Sequence, residues 1–240
     1  MSTRVPLHFK ESFCDLDLNS MGVDCCFIPD LSEYPQMGGP LCRVKQVHGK
    51  DILHVQAELI ASLSGPGYVQ FQYDGMMTSE PGAFLSVYSA DCLPLLFFEP
   101  ERRIVASIHS GWRGTLLNIC GRAIERMVQI FKCDPSKIRV VSGPSIHVCC
   151  FEIREDVATL FRNADPAAEE MISRSDGKMK LDLPGLNCRQ LLNTGVLRNH
   201  VELNETCTYC NLGLLPSFRR EGRSDRRIVG AIRLRDGDKR

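Results

Sequence analysis

No stretch of the 240-residue chain approaches the roughly 20 consecutive apolar residues that a membrane helix requires, which excludes a helical span. The opening "MSTRVPLHFK" lacks the apolar core of a secretory signal, so a cytoplasmic location is expected. Net charge is absent too: 29 basic and 29 acidic residues cancel, leaving no global field for nucleic acid or an anionic membrane, and any anion site must be short-range. Internal repeats, heptads and low-complexity blocks are also missing. Histidine is scarce, with six residues at 8, 48, 54, 109, 147 and 200 and no H-x-H pair. That scarcity argues against a copper polyphenol oxidase, which needs several histidine clusters around its copper centres.

What is present is ample apolar material, 43% of residues, enough for a continuous core. Twelve cysteines without an export signal are expected as reduced thiols, most of them small core residues, with metal binding open to the rest. A single domain over residues 1–240 is the default reading, beginning with an irregular segment, 1–40, that ends in the turn-forming "YPQMGGP". Strand-like runs follow at 51–55, 83–88, 93–98, 103–109, 138–143 and 227–234. Leu116, Ile119, Cys120, Ala123, Ile124, Met127 and Phe131 recur at helical spacing, which predicts one amphipathic helix from Thr115 to Phe131. Shorter helices are predicted at Glu155 to Asn163 and Leu186 to Leu197. The strands at 83–98 and 103–109 lie too close together for helical crossovers, so the expected class is α/β with mixed sheets.

Chemistry concentrates at element ends. In "ASIHSGWRGTLLNI" (106–119), His109 closes a predicted strand, Gly111 and Gly114 permit a tight turn, and Arg113 beside a helix start offers an anion-binding corner. The alternative makes His109 a hydrogen-bonded core histidine, Trp112 a packing residue and Arg113 a surface charge. "RVKQVHGKDI" (43–52) places His48 in a polar turn, and "SVYSADCLPLLFF" (86–98) places Cys92 after Asp91 between two apolar runs. Two histidines and a cysteine supplied by three loops match a catalytic zinc site, in which three protein ligands leave a fourth position open. Taken singly, each residue also has a structural reading. "CTYC" (207–210) looks like half of a zinc knuckle with no second pair following, and the vicinal Cys149 and Cys150 are expected to be buried or pocket-lining without a redox role.

The ordered motifs "KQVHG", "YDGMMTS", "SADCLPLLFF", "HSGWRGT", "GPSIHVCCFEI" and "SFRREG" resemble the laccase-domain family of the YfiH type, from about residue 43 to the C-terminus. The resemblance implies a layered, mixed-sheet α/β fold like that of cysteine-dependent deamidases. It also implies a metal bound by His48, Cys92 and His109, usually zinc, with copper as the other choice. The implied activity is phosphorolysis of adenosine, inosine, guanosine and methylthioadenosine to free base and a ribose 1-phosphate, together with adenosine deamination. Expected partners are thus purine nucleosides and phosphate, in a chain that a homo-oligomer would accommodate. In deamination, a metal-activated water would attack C6 of adenine while Asp91 or Asp74 moves protons; each aspartate has an alternative as a turn residue or a support for a ligand. Arg113, Arg220 and Arg4 are the arginines expected to hold phosphate, and Lys45 and Gln46 flank the His48 loop as further contacts to phosphate or base. The chain departs from the family around Arg4, where a glycine pair and an N-R pair are missing and the usual L-N-L reads "LDL" at 16–18. Two further readings stand beside this one. Cys92 with His48 or His109 as base forms a metal-independent cysteine hydrolase acting on an amide or ureido substrate. A non-catalytic scaffold around a structural zinc needs a fourth protein ligand.

Overall fold

The computed structural model describes residues 18–29, 40–63, 66–222 and 225–236. In chain order the elements are β1 (Val23–Ile28), β2 (Leu41–Lys45), β3 (Ile52–His54), α1 (Ala57–Ser62), β4 (Pro66–Gln72), β5 (Gly75–Thr78), β6 (Phe84–Ser89), β7 (Leu93–Glu99) and β8 (Ile104–Ser110). They continue with α2 (Trp112–Leu116), α3 (Ile119–Phe131), β9 (Arg139–Ser142), β10 (Glu152–Ile153), α4 (Glu155–Ala164), β11 (Ile172–Ser175), β12 (Lys178–Leu181), α5 (Leu183–Asn193), β13 (Val201–Glu202), α6 (Phe218–Glu221) and β14 (Ile228–Leu234). No helix among the described residues is long and apolar enough to cross a membrane.

Three sheets result, ordered β1-β14-β6-β2-β4, β13-β9-β7-β8-β5-β3 and β10-β12-β11. Both larger sheets mix parallel and antiparallel pairs, as the short connections require. The period of two along a strand sorts β7 between two cores. Leu95 and Phe97 join Ile124, Met127 and Leu191 in a layer against the helices, whereas Leu96 and Phe98 join Leu85, Val44 and Ile232 between the two larger sheets. A strand covered on both faces reads as an unbroken apolar run, and "LPLLFF" is one for that reason.

Three expectations need correction. Residues 23–28 are not irregular: β1 pairs antiparallel with β14 along its whole length, although "VDCCFI" carries too little apolar alternation to announce a strand. The helix predicted from Thr115 to Phe131 is two helices, α2 and α3, broken where Asn118 adopts φ 58 and caps α3 by accepting the Gly121 N–H at 3.2 Å. The third, predicted at Leu186 to Leu197, runs three residues earlier and stops before Gly195, whose φ of 95° an L-residue rarely adopts.

Candidate metal and reaction site

Register brings the three ligand candidates to one end of the six-stranded sheet. Within the antiparallel β7–β8 pair, Leu93 lies opposite Ser110 and Pro94 opposite His109, so Cys92, just before β7, meets the end of β8. On the other side of β8, Gly75 opposes Ile108, and the His109 N–H donates to the Asp74 carbonyl at 2.7 Å. β3 pairs with β5 in turn and draws the 46–51 loop, with His48, over the same corner. His48, Cys92 and His109 each then offer a ligand atom, all within 4.8 Å of one another. The imidazole rings lie edge to face at 5.0 Å between centroids. His109 is buried, Cys92 half-buried and His48 exposed, so one side of the group faces solvent.

Asp74 organises this corner. Its Oδ1 accepts from His109 Nδ1 at 2.9 Å and from the His48 amide at 2.8 Å, while Oδ2 accepts the amides of Gly49 at 2.6 Å and Val47 at 3.2 Å. The bond at Nδ1 fixes the tautomer of His109 and leaves Nε2 for a ligand, as a carboxylate behind a metal-binding histidine does. Burial opposes the charge on Asp74, but the His109 hydrogen bond and the amides outweigh it and hold the carboxyl below its ordinary range. Burial likewise resists ionisation of Cys92, yet His109 and His48 beside it draw the thiol down to about 6. His109 is pushed up to about 9 against its own desolvation, chiefly by the Cys92 sulfur and by Asp74. A thiolate already favoured is a thiolate ready to bind metal.

Backbone strain and the absence of side chains make the crowding feasible. His48 itself and Asp91, which precedes Cys92, adopt φ 59 and φ 88. A Cβ on Gly111 would stand 2.9 Å from Cys92 Sγ and 3.1 Å from His48 Cδ2, and one on Gly114 would stand 3.1 Å from the Gly49 carbonyl. Behind Gly111 a buried network ties α2 to α5. Ser110 Oγ donates to Asn187 Oδ1 at 2.7 Å, Asn187 Nδ2 donates to Thr115 Oγ1 at 3.0 Å, and Gln190 Nε2 donates to the Thr115 carbonyl at 2.6 Å.

The remaining candidates separate. Asp91 is buried and its carboxylate is occupied: the Thr208 hydroxyl donates to Oδ1 at 2.6 Å and the Arg219 N–H to Oδ2 at 2.7 Å, which fits a loop clamp better than a proton carrier. Gln46 pairs its amide with the N–H and carbonyl of Tyr88, both at 2.8 Å, so it acts as a strand peptide. Arg220 directs both Nη atoms to the carbonyls of Thr208, Tyr209 and Leu215 and to Glu221, and is a loop staple in place of the expected phosphate ligand. Lys45 is exposed at the end of β2. Arg113, also exposed, stacks on Trp112 at 4.3 Å, and the expected corner between a strand and a long helix is reduced to the five-residue α2. Arg4 lies outside the described residues.

Sequence reading missed the neighbouring hollow of about 360 Å³, walled by Trp112, Phe151, Ile153, Val157, Arg154 and Arg219. Two of its residues are tied to the candidate metal corner: Trp112 follows Gly111 in the chain, and the Arg219 N–H bonds the carboxylate of Asp91, which precedes Cys92. Arg219 stacks over Phe151 at 5.5 Å and bonds the Glu152 carbonyl at 3.0 Å. The dipeptide "RR" in "SFRREG" held the clue, since adjacent residues on a helical turn point about 100° apart and only one of them can face the hollow. A larger hollow of about 640 Å³, bounded by polar groups of α3 and the β3 region, contains none of the three ligand candidates.

Residues 32–235 match the family model described as multi-copper polyphenol oxidoreductase laccase. The chain belongs to that family. Among curated members of the laccase family, "Purine nucleoside phosphorylase YlmD" of Geobacillus stearothermophilus is 34% identical over 199 residues, which cover 80% of this chain and 71% of that one. "Purine nucleoside phosphorylase" of Deinococcus radiodurans is 36% identical over 154 residues, 64% of this chain; the match spans only 56% of that relative's length. The crystal structure of the Geobacillus YlmD superposes with a TM-score of 0.74 at 31% identity, covering 86% of this chain and 78% of that one. These family relationships agree with the mixed-sheet α/β architecture. The donor set of two imidazoles and one thiolate suits either zinc or copper, but among the described residues the only other cluster able to hold a metal consists of cysteines, so the histidine-rich centres of a multicopper oxidase have no residues here.

Proposed function

We propose that the chain is a metal-dependent purine nucleoside phosphorylase, with adenosine deamination as a second activity of the same site. The observation that carries this reading is the convergence of His48, Cys92 and His109 within 4.8 Å, backed by Asp74. The soft thiolate and two neutral imidazoles fit zinc, with copper the next choice, and a bound ion would supply Lewis acidity and lower the pKa of a water. The chain's own groups supply the rest. Trp112 and Phe151 offer flat apolar walls for a purine, and Arg219, Arg154 and Arg113 offer the cations needed to gather phosphate oxygens near C1′ of the sugar. Asp74 holds the proton on His109 Nδ1 and keeps the opposite nitrogen directed at the site. In phosphorolysis a phosphate oxygen forms the bond to C1′ as the C1′–N9 bond breaks, and the base leaves with a proton; adenosine, inosine, guanosine and methylthioadenosine all present that bond.

A second reading rests on the favoured thiolate of Cys92 beside His109, an arrangement that also serves a cysteine nucleophile. One experiment separates the two. Purified protein with inosine should release hypoxanthine only when phosphate is present, and should stop after chelation until zinc is restored. Release that is independent of phosphate, or turnover of an amide substrate by metal-free protein that ends on thiol alkylation, would transfer the site to the hydrolase class.

A further inference from the structure

The pair Cys207 and Cys210, an isolated half-knuckle in the sequence, has partners in space. Cys149 and Cys150, almost sixty residues upstream, bring their sulfurs to the same point, and all four Sγ atoms lie within 4.8 Å of one another. Cys150 Sγ is 3.3 Å and Cys149 Sγ 3.7 Å from Cys210 Sγ. Four sulfurs at about 2.3 Å from a central zinc ion define a tetrahedron with edges of about 3.8 Å, and a group whose sulfurs all lie within 4.8 Å, two pairs at 3.3 and 3.7 Å, fits a mononuclear tetrathiolate with small side-chain shifts. These separations are too short to wrap a multinuclear iron–sulfur cluster.

The surrounding backbone is built for it. Burial opposes ionisation of Cys207, but the amides of His147 and Cys210 point at its sulfur and draw the thiol down, whereas burial pushes Cys149 and Cys150 up, so those two lose their protons only to the ion. Ser145 and Cys207 form a lone parallel bridge, and the Thr208 N–H donates to the Ser145 carbonyl at 2.9 Å. Residues 148–150 and 208–215 are turns and bends, and Tyr209, Leu212 and Leu214 are exposed. Apart from the buried Cys207 and Leu215, the 207–215 segment is held mainly by hydrogen bonds, chiefly those of Arg220 to the Thr208, Tyr209 and Leu215 carbonyls, so a metal cross-link to residues 149–150 adds a constraint that its small apolar content does not supply.

We propose that Cys149, Cys150, Cys207 and Cys210 form a second, closed metal site that takes a structural zinc ion. With four protein ligands it leaves no open position for chemistry, and its effect is mechanical. Each thiol gives up its proton to solvent as the ion binds, and nothing is oxidised or reduced. The site clamps the Ser145 loop onto the 207–215 segment, and both of these hold Asp91: the Ile146 N–H donates to its carbonyl at 2.9 Å and the Thr208 hydroxyl to its carboxylate at 2.6 Å. Asp91 immediately precedes Cys92, so the clamp braces the loop that presents a ligand of the reaction site. The expectation that Cys149 and Cys150 are merely buried or pocket-lining is corrected by the same geometry, since Cys149 is exposed and both face the other pair.

The test is metal stoichiometry by mass spectrometry on the full reduced chain after loading with zinc and desalting. The double variant Cys149→Ser with Cys210→Ser should hold one ion fewer per chain than wild type. Cys92→Ala should keep the ion that the double variant loses, and with cobalt in place of zinc should show the strong charge-transfer absorption of four thiolates. Loss of metal from Cys92→Ala alone, with the double variant unchanged, would overturn the proposal while sparing the reaction site; the converse would spare the proposal. Should the double variant fail to fold, alkylation of wild type decides. Zinc should shield Cys149, Cys150, Cys207 and Cys210 from iodoacetamide and a chelator should expose them. Equal labelling with and without zinc, or native disulfides joining these cysteines, would refute the clamp.

Discussion

Gly111 decides how closely the three candidate ligand side chains can gather, and its reason for being glycine is steric. Its φ of −81° suits any residue, so alanine would bring no backbone strain, only a methyl group 2.9 Å from Cys92 Sγ and 3.1 Å from His48 Cδ2. Gly111→Ala should therefore fold with an unchanged denaturant midpoint and bind zinc about 10-fold to 100-fold more weakly, the range typical of disturbed supports around a metal. Unaltered affinity would mean that the three side chains do not converge on an ion. Protons report on the same group from another direction. In the metal-free protein, stabilisation from protonated His109 is complete below its unfolded value near 6.5 and is lost as pH rises through about 9; that from the Cys92 thiolate is complete above 9 and is lost as pH falls through about 6. The two trends oppose each other between pH 6.5 and 9, so this pair leaves stability nearly level there. Zinc binding does not share that cancellation, because the ion must displace the proton of His109 while the thiolate is already formed. Zinc affinity should climb by up to about tenfold per pH unit above pH 7 and level off as pH passes about 9. A competition titration against a chelator of known affinity measures this, and a flat profile would show that His109 is not a ligand.

The helices behind the site depend on a break that periodicity alone conceals. Leu116, Ile119, Ala123 and Met127 keep helical spacing straight through Asn118, yet Asn118 is left-handed and turns the chain from α2 into α3. Asn118→Gly should lose the cap to Gly121 while keeping the backbone freedom, at a cost of a few tenths of a kcal/mol, whereas Asn118→Ala loses both and should cost about 1–2 kcal/mol in urea unfolding. Equal losses would show that the cap bond, and not the left-handed turn, matters. The same contrast explains what the sequence could disclose. Strands β7, β8 and β14 were legible because burial on both faces made them largely apolar, and the grouping of His48, Cys92 and His109 within 4.8 Å was legible because each stands in a loop or at a strand end within an ordered set of motifs. Strand β1 was hidden by its aspartate and two cysteines. The four-cysteine group was hidden by distance along the chain: a C-x-x-C with its partners nearly sixty residues away offers no local spacing to read, and only the bridge between Ser145 and Cys207 closes the gap. Arg219 was hidden by its neighbour, as the register of a four-residue helix, α6, chose between two adjacent arginines.

At the scale of the molecule, β1, the first strand among the described residues, joins the two large sheets through one side chain. Phe27 of β1 pairs with Gly230 of β14, and its ring fills a socket made by glycines: a Cβ on Gly143, at the end of β9 in the opposite sheet, would fall 2.3 Å from the ring, and one on Gly230 would fall 3.1 Å from it. Gly143 in turn donates its N–H to the Pro94 carbonyl at 2.9 Å, and Pro94 lies across from His109. The ring thus spans both sheets next to the strand pair that carries Cys92 and His109. A side chain in such a position leaves a void that the glycines cannot collapse to fill, so Phe27→Ala should destabilise by about 3–5 kcal/mol. A surface control lies three residues away on the same strand: Asp24, which pairs with Arg233 at 2.8 Å and Arg235 at 2.7 Å, should cost under about 1 kcal/mol on truncation to alanine. Urea unfolding of the two variants, with the slope of the transition unchanged and the midpoint moved far more by Phe27→Ala, is the expected result. Equal midpoints would make β1 an appendage laid on a finished fold, whereas a large gap makes it a keystone without which the six-stranded sheet, and the candidate ligands at its end, lose their backing.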